Sequence, residues 1–532
     1  MAKTSNNKTN NKKTGNTKKS KNDGVPLRDI AHPVLYEVNT RVLLRELSAA
    51  AGTKITLGTI PDAVIDEWAG YGFNAVWMMG VWSSGPLGIA IAREDAPLKE
   101  AYRALLPDFT DDDVTGSPYA VHAYEVPAAY GGEEGLQRLR SRLAGKGIGL
   151  VLDFVPNHTA RDHAWVRTHP EYYVRGKDGE EGEKPDHYFR AATTKGDLTL
   201  AFGRDPGYAG WTDTAQLNPR HPGARKAMIT TLKHIAMLCD GVRCDMAMLV
   251  LDSVFERTWG ERGMPNPLAP GEFWREAIEE TRADAPGFLF IAETYWNMEW
   301  DLQQRGFDYT YDKTLYDRLL REGAGAVRDH LRAETDYQRR SLRFIENHDE
   351  PRAAQVMPSE AWQYAAATVI ATVPGMVMFH DGEFEGRRVR IPVQLSRRPA
   401  EKPVARTQAF YRRLLKVVAG GVFQKGTWRL LVPRAAWNDN YTWQNFLIFW
   451  WQEKPDGAMM VVVNYAPHSG QCYADIPLEL LEGTPIEFRD QIGEAVYTRE
   501  RGGLGSRGMY FDVPSYGIHI FEVTTGRNPS SR

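Results

Sequence analysis

Acids, an arginine and two histidines close several short apolar runs of this chain. The runs are Leu152-Asp153-Phe154-Val155-Pro156-Asn157-His158, Gly241-Val242-Arg243-Cys244-Asp245, Ile291-Ala292-Glu293 and Phe344-Ile345-Glu346-Asn347-His348-Asp349. Arg243 and Asp245 stand two apart, so on a strand both side chains point to one face, where the guanidinium can keep a neighbouring carboxylate ionised. Glu293 closes another run with no cation in its local sequence, which leaves it free to carry a proton. One carboxylate held charged beside one that can be protonated is the pair that glycoside hydrolysis requires. A buried Asp beside an Arg is more often a structural ion pair than a nucleophile, so the pair alone decides nothing.

These residues must be brought together by the elements that carry them. From Val34 onward short β-rich runs alternate with amphipathic stretches, the pattern of repeated βα units around a parallel sheet. Strands are predicted at Val34–Val38, Phe73–Met78, Ile148–Phe154, Gly241–Asp245, Phe288–Glu293, Phe307–Tyr311, Leu342–Glu346 and Met376–Phe379. Helical patterns at Asp62–Tyr71, Glu133–Ala144, Gly223–Leu238, Glu272–Ala283 and Glu360–Ala371 lie between them, the last with Ser359 as its expected N-cap. The expected fold is therefore α/β, a (β/α)8 TIM barrel, whose catalytic groups belong at the C-terminal strand ends. Insertions at Trp82 to Ser117 and at Asn157 to Pro222 exceed ordinary βα loops. After Val404–Val418 the helices give way to strands at Thr442–Trp450, Met459–Asn464, Gly508–Val513 and Ile518–Val523. The expected division is a barrel over 30–156 and 223–420, an inserted domain over 157–222, and a C-terminal β-sandwich domain over 425–526.

Of the 532 residues, 42% are hydrophobic and 25% charged, which excludes wholesale disorder. The net charge of −3 is too near neutral for general nucleic-acid binding. Residues 1–24 carry seven Lys and one acid, and their composition reads as a disordered, solvated basic tail. They lack the apolar run of a signal peptide, and no later run is long enough to span a bilayer. Three scattered cysteines, Cys239, Cys244 and Cys472, give no disulfide framework. A cytoplasmic protein without nucleic-acid or membrane partners is expected. The 15 Trp, 23 Tyr and 20 Phe suit a site that holds flat sugar faces.

The four strand ends, in order and at barrel spacing, carry a resemblance. DFVPNH at Asp153–His158, GVRCDMA at Gly241–Ala247, IAET at Ile291–Thr294 and FIENHD at Phe344–Asp349 resemble the four conserved regions of the α-amylase family, glycoside hydrolase family 13. TAQLN at Thr214–Asn218 is similar to the family's motif closing the inserted domain, and Ser117–Tyr124 to a tyrosine-bearing segment of its amylosucrase and trehalose synthase branches. The resemblance implies a retaining mechanism with Asp245 as nucleophile, Glu293 as general acid/base and Asp349 holding sugar hydroxyls. It further implies that His158 and His348 contact the ring, Tyr119 stacks on it, Arg243 orients Asp245, and Asp153 anchors Arg243. The chemistry needs no cofactor. Calcium stays open, with Asn157 as a candidate ligand and Asp162, Asp186, Asp205 or Asp213 as its partner.

One departure matters. Where many members place a Lys-His pair after the nucleophile, this chain has Met248 and Leu249 within the apolar run Met246–Leu251, which puts long-chain endo-cleavage in doubt. The expected function is a retaining hydrolase of α-glucans or short α-glucosides. Its rivals are a transglycosylase or isomerase of the same chemistry, glucanotransferase-like or trehalose-synthase-like, and a non-catalytic glucan-binding protein.

Overall fold

The computed structural model describes residues 25–526 except Asn266 and Asp456; the basic tail lies outside the described residues. Eight parallel strands close into a barrel: β1 (Val34–Asn39), β2 (Ala75–Met79), β3 (Gly149–Phe154), β4 (Gly241–Cys244), β5 (Leu289–Ala292), β6 (Tyr309–Tyr311), β7 (Ser341–Arg343) and β8 (Met376–His380). Each strand pairs with its sequence neighbours, and β8 closes on β1 through Val34 opposite Val377. Strands buried on both faces are continuous apolar runs rather than alternating ones, and β2, Ala-Val-Trp-Met-Met, is buried throughout. Alternate residues still divide. Trp77, Met79, Val151, Ile291, Tyr311 and Met378 fill the barrel, whereas Val76, Met78, Leu150, Leu152, Val242 and Phe290 pack outward against Leu136, Ile229, Leu232 and Ile278 of the helix ring.

All eight predicted strands are present. The seventh is shorter than expected, because Glu346 leaves the ladder for a buried ion pair with Arg352 (2.5 Å) and accepts from Ala353 N (2.7 Å). Helices form at Asp62–Gly70, Gly132–Ala144, Pro222–Leu238, Phe273–Asp284 and Glu360–Thr372. Glu272, read as the first residue of its helix, instead caps it by accepting from Trp274 N (3.1 Å). Ser359 precedes its helix as expected, but its side chain makes no capping bond.

The insertion after β2 folds into two helices, Pro86–Glu94 and Ala96–Leu105, with Asp95 capping the second. The insertion after β3 contains two antiparallel ribbons, Tyr188–Thr193 with Gly196–Ala201 and His158–Ala160 with Thr214–Gln216. Beyond the barrel lie a six-stranded and a three-stranded sheet. The first strand expected there is displaced: Thr442–Asn445 is a 3-10 turn, and β9 covers Phe446–Lys454, pairing with β10 (Gly457–Asn464). Phe446, Ile448 and Trp450 face the core of this β domain, while Leu447, Phe449 and Trp451 join the barrel core. That double duty accounts for six consecutive apolar residues. Among the described residues no helix is long and apolar enough to cross a membrane.

Trp451 is the hinge of this docking. It is buried, and its indole N–H donates to Thr372 O (2.7 Å) at the end of a barrel helix. Trp451→Ala is expected to cost about 3–5 kcal/mol, the range for a buried aromatic, and calorimetry should show a lowered Tm.

Candidate active site

Arg243 sits on β4, level with Asp153 on β3 and Ile291 on β5, and its side chain is fully buried inside the barrel mouth. The rings of Trp77, Tyr119 and Tyr311 surround the guanidinium, with centroids 5.1, 5.2 and 5.6 Å from Cζ. Nη1 donates to Asp245 Oδ1 (2.8 Å), and Nη2 lies 2.9 Å from Glu293 Oε2. The second contact is an ion pair without an aligned hydrogen bond, since Nη2 has no partner of suitable angle. Glu293 is thus not free of a cation, contrary to the sequence reading. Arg243 serves both acids, but it hydrogen-bonds only one.

The acids differ accordingly. Burial raises Asp245 to about 6 against the opposing pull of Arg243, and burial raises Glu293 to about 7, with Arg243 opposing and Asp245 adding to the rise. Two acids so close titrate as a pair, with Glu293 the better holder of the proton. Around Glu293, Oε2 accepts from Met246 N (2.6 Å) and Oε1 from the Tyr295 hydroxyl (2.8 Å). Met246 reaches that position through a left-handed backbone, φ 42°.

A second group gathers around His348. Its Nδ1 contacts Glu37 Oε1 at the end of β1, and its Nε2 lies 2.6 Å from the Tyr119 hydroxyl and 3.0 Å from Asp349 Oδ2. Burial disfavours a charged imidazole, but the Asp349 and Glu37 carboxylates outweigh it and raise His348 well above its ordinary pKa. Asp349 is half open to the cavity, and the facing imidazolium outweighs the desolvation it does suffer and holds it at about 2. His348 is therefore a clamp for Asp349, with both ring nitrogens spent on protein groups. His158 is buried, lowered to about 4 by desolvation, and neutral at pH 7.

Asp153 does not anchor Arg243. Its Oδ2 accepts from Gly80 N (3.0 Å) and its carbonyl from Trp82 Nε1 (2.7 Å), so it ties β3 to the loop after β2, while Arg243 donates to Asp245 and Tyr311 and pairs in charge with Glu293.

The surroundings of Asn157 do not fit calcium, which needs six to eight oxygens. Gln216 Nε2 donates to Asn157 Oδ1, Asn157 O and Leu217 O, each at 2.9 Å, so an amide nitrogen occupies the centre of this oxygen cluster. Among the described residues no group of three or more His, Cys, Asp or Glu gathers to hold a metal.

Asp245, Glu293, Asp349, Tyr119 and His158 line one cavity of about 480 Å³, joined by Ser117, Asp205, Trp211, Asp213, Met246, Tyr295, Trp296 and Gln394. Met248 and Leu249 are buried beneath it in a 3-10 turn. Of the tryptophans on the site loops, Trp82 is buried beside Asp153 and Trp300 is absent from the cavity lining. A groove of about 1240 Å³ opens at the other end of the barrel, between Lys226, Lys233, Glu280 and Phe288, and holds none of the motif residues. Sequence reasoning missed Glu37 and Tyr295. A lone Glu inside the apolar strand Val34–Asn39 was the available signal for the first, and proximity to Glu293 for the second.

Residues 70–390 match the family model for the alpha-amylase catalytic domain. Similar proteins include alpha-amylase MalA of Haloarcula japonica, 26% identical over 291 residues, covering 52% of this chain and 38% of that protein. Alpha-amylase 3 of Dictyoglomus thermophilum is 21% identical over 296 residues, covering 52% of this chain and 55% of the relative. The chain thus spans less than two thirds of either. Among solved structures, a noncanonic maltogenic alpha-amylase AmyB from Thermotoga neapolitana superposes with a TM-score of 0.65 at 17% identity, over 94% of this chain and 100% of that one. An alpha-amylase from Geobacillus thermoleovorans gives 0.62 at 14% identity, over 96% and 100%. These likenesses extend the shared fold through the β domain.

The amide-filled cluster has a measurable consequence. EDTA should leave Tm unchanged, whereas Gln216→Ala, which removes the donor from Asn157 Oδ1 and from Leu217 O, should cost at least about 2 kcal/mol in denaturant unfolding.

Proposed function

The chain belongs to the α-amylase family, and from that premise we propose that it is a retaining α-glycoside hydrolase acting on α-glucans or short α-glucosides. The observation that carries this reading is one guanidinium shared by two carboxyls in a cavity that a third, Asp349, also lines. Two carboxyls on one planar cation lie close together, which suits the short separation of retaining rather than inverting enzymes.

Asp245, ionised and oriented by Arg243, attacks the anomeric carbon. The bond to the leaving oxygen breaks, and its electron pair takes the proton of Glu293. Water then attacks the glycosyl-enzyme, returns a proton to Glu293, and releases Asp245 with the sugar's configuration retained. The proton belongs on Oε1, because Oε2 faces the Met246 N–H and Arg243, which are both donors. The Tyr295 hydroxyl on Oε1 can donate to the carboxylate and accept from the acid, so it follows the proton through both steps. Asp349, kept anionic by His348, accepts from ring hydroxyls as positive charge develops on the sugar. His158 is a neutral contact, and Tyr119, whose ring is packed against His348 and Arg243, offers the sugar the part that borders the cavity as an apolar contact. Every step is carried by side chains, so no cofactor is required.

A second reading has one observation in its favour. The polar pair usual after the nucleophile is replaced by buried Met248 and Leu249, and a sugar hydroxyl in place of water would make the enzyme a transglycosylase or isomerase.

The profile of kcat/KM against pH is expected to be a narrow bell. It falls below about 6 as Asp245 gains a proton and above about 7 as Glu293 loses one. Tyr295→Phe removes a donor to the Glu293 carboxylate, disfavours the anion, and should move the alkaline limb to higher pH. Chromatography of products from maltose, maltoheptaose, sucrose and trehalose tests the activity itself. Shorter sugars with new reducing ends from wild type, and none from Asp245→Asn, support hydrolysis; longer or isomeric sugars support transfer. Equal behaviour of wild type and variant would defeat the enzymatic reading.

A further inference from the structure

The inserted domain sends a tight hairpin, Gly203 to Trp211, over the cavity. It is stapled at its base: Trp211 N donates to Gly203 O (2.8 Å) and Gly203 N to Thr214 Oγ1 (3.0 Å). The base packs so closely that a Cβ on Gly203 would meet His158 Cβ at 3.0 Å and Trp211 Cε3 at 3.1 Å. Arg204 turns away from the cavity, its guanidinium stacked on Trp259 (4.4 Å) and donating to His187 Nδ1 (2.8 Å). The hairpin is therefore held rigidly with Asp205 and Trp211 in the cavity wall.

Asp205 has no partner that folding would supply. Its Oδ1 is enclosed and meets no hydrogen-bond donor among the described residues. Burial raises it to about 6, and the charge acting on it is that of Glu293, of its own sign. An enclosed carboxylate oxygen without a donor lowers stability, and the neighbouring Arg204, which could have relieved it, is committed elsewhere. A sugar hydroxyl supplies the missing donor.

We propose that Asp205 binds a hydroxyl of the sugar on the leaving side of the scissile bond, taking over from the inserted hairpin the polar contact that buried Met248 and Leu249 do not make. The assignment rests on the reading of Glu293 as the acid that protonates the leaving oxygen, since Asp205 lies toward Glu293. It also defines the ligand as an uncharged sugar. Asp213 lines the same wall, and a phosphorylated sugar would set its anion against both acids.

The test compares maltotriose, which places a sugar on the leaving side, with α-glucosyl fluoride, which does not. For Asp205→Ala, kcat/KM on maltotriose is expected to fall about 10- to 100-fold relative to that on the fluoride, the span of one hydrogen bond to a charged group. Tm should stay level or rise, because a half-buried carboxylate whose enclosed oxygen has no donor is removed. Equal losses on the two substrates, no loss on either, or a lowered Tm would overturn the role of Asp205 while leaving the glycosidase reading intact. Wild type inactive on both substrates would overturn that reading, and the proposal with it.

Discussion

Placing a guanidinium inside a barrel of apolar side chains is costly unless its charge is matched, and Arg243 meets that demand with two carboxyls at once, one of them through an aligned hydrogen bond. Much of the site follows from this match. The aligned bond to Asp245 and the unaligned contact to Glu293 separate two acids that burial alone would treat alike. Trp77, Tyr119 and Tyr311 close around the cation, so the aromatic lining of the barrel mouth and the placement of the acids are one arrangement.

The same economy appears around it. Asp349 is kept anionic by an imidazolium that Glu37, from the first strand, stabilises from behind. The clamp thus joins β1 to the segment after β7, over the one strand that separates them and far apart in sequence. At Asn157, Gln216 closes the start of the inserted domain onto its end through two contacts of its amide nitrogen, to Asn157 O and Oδ1. A hydrogen-bonded amide avoids the charge balance that an ion would need, and it ties the inserted domain to β3 just below the cavity.

The hairpin of the inserted domain differs from these groups in one respect. Asp205 Oδ1 is enclosed at the cavity wall without a donor, whereas Asp245, Glu293 and Asp349 of the barrel are each held by at least one partner.

The eight strands, the helices between them and the four acidic strand ends were legible in the chain, because apolar runs of strand length and their polar terminators are local properties. So was the shared face of Arg243 and Asp245, which follows from a period of two. Asp153, which the resemblance paired with Arg243, hydrogen-bonds Gly80 instead, because a motif fixes a residue's type and place and not the donor its side chain meets. Glu37 and Tyr295 were missed because their partners lie far off in the sequence or across a turn. The division is physical. Local pattern determined the elements and which residues end them, while the pairing of each charge depended on through-space distances of a few ångström that only closure of the barrel and docking of its insertions could set.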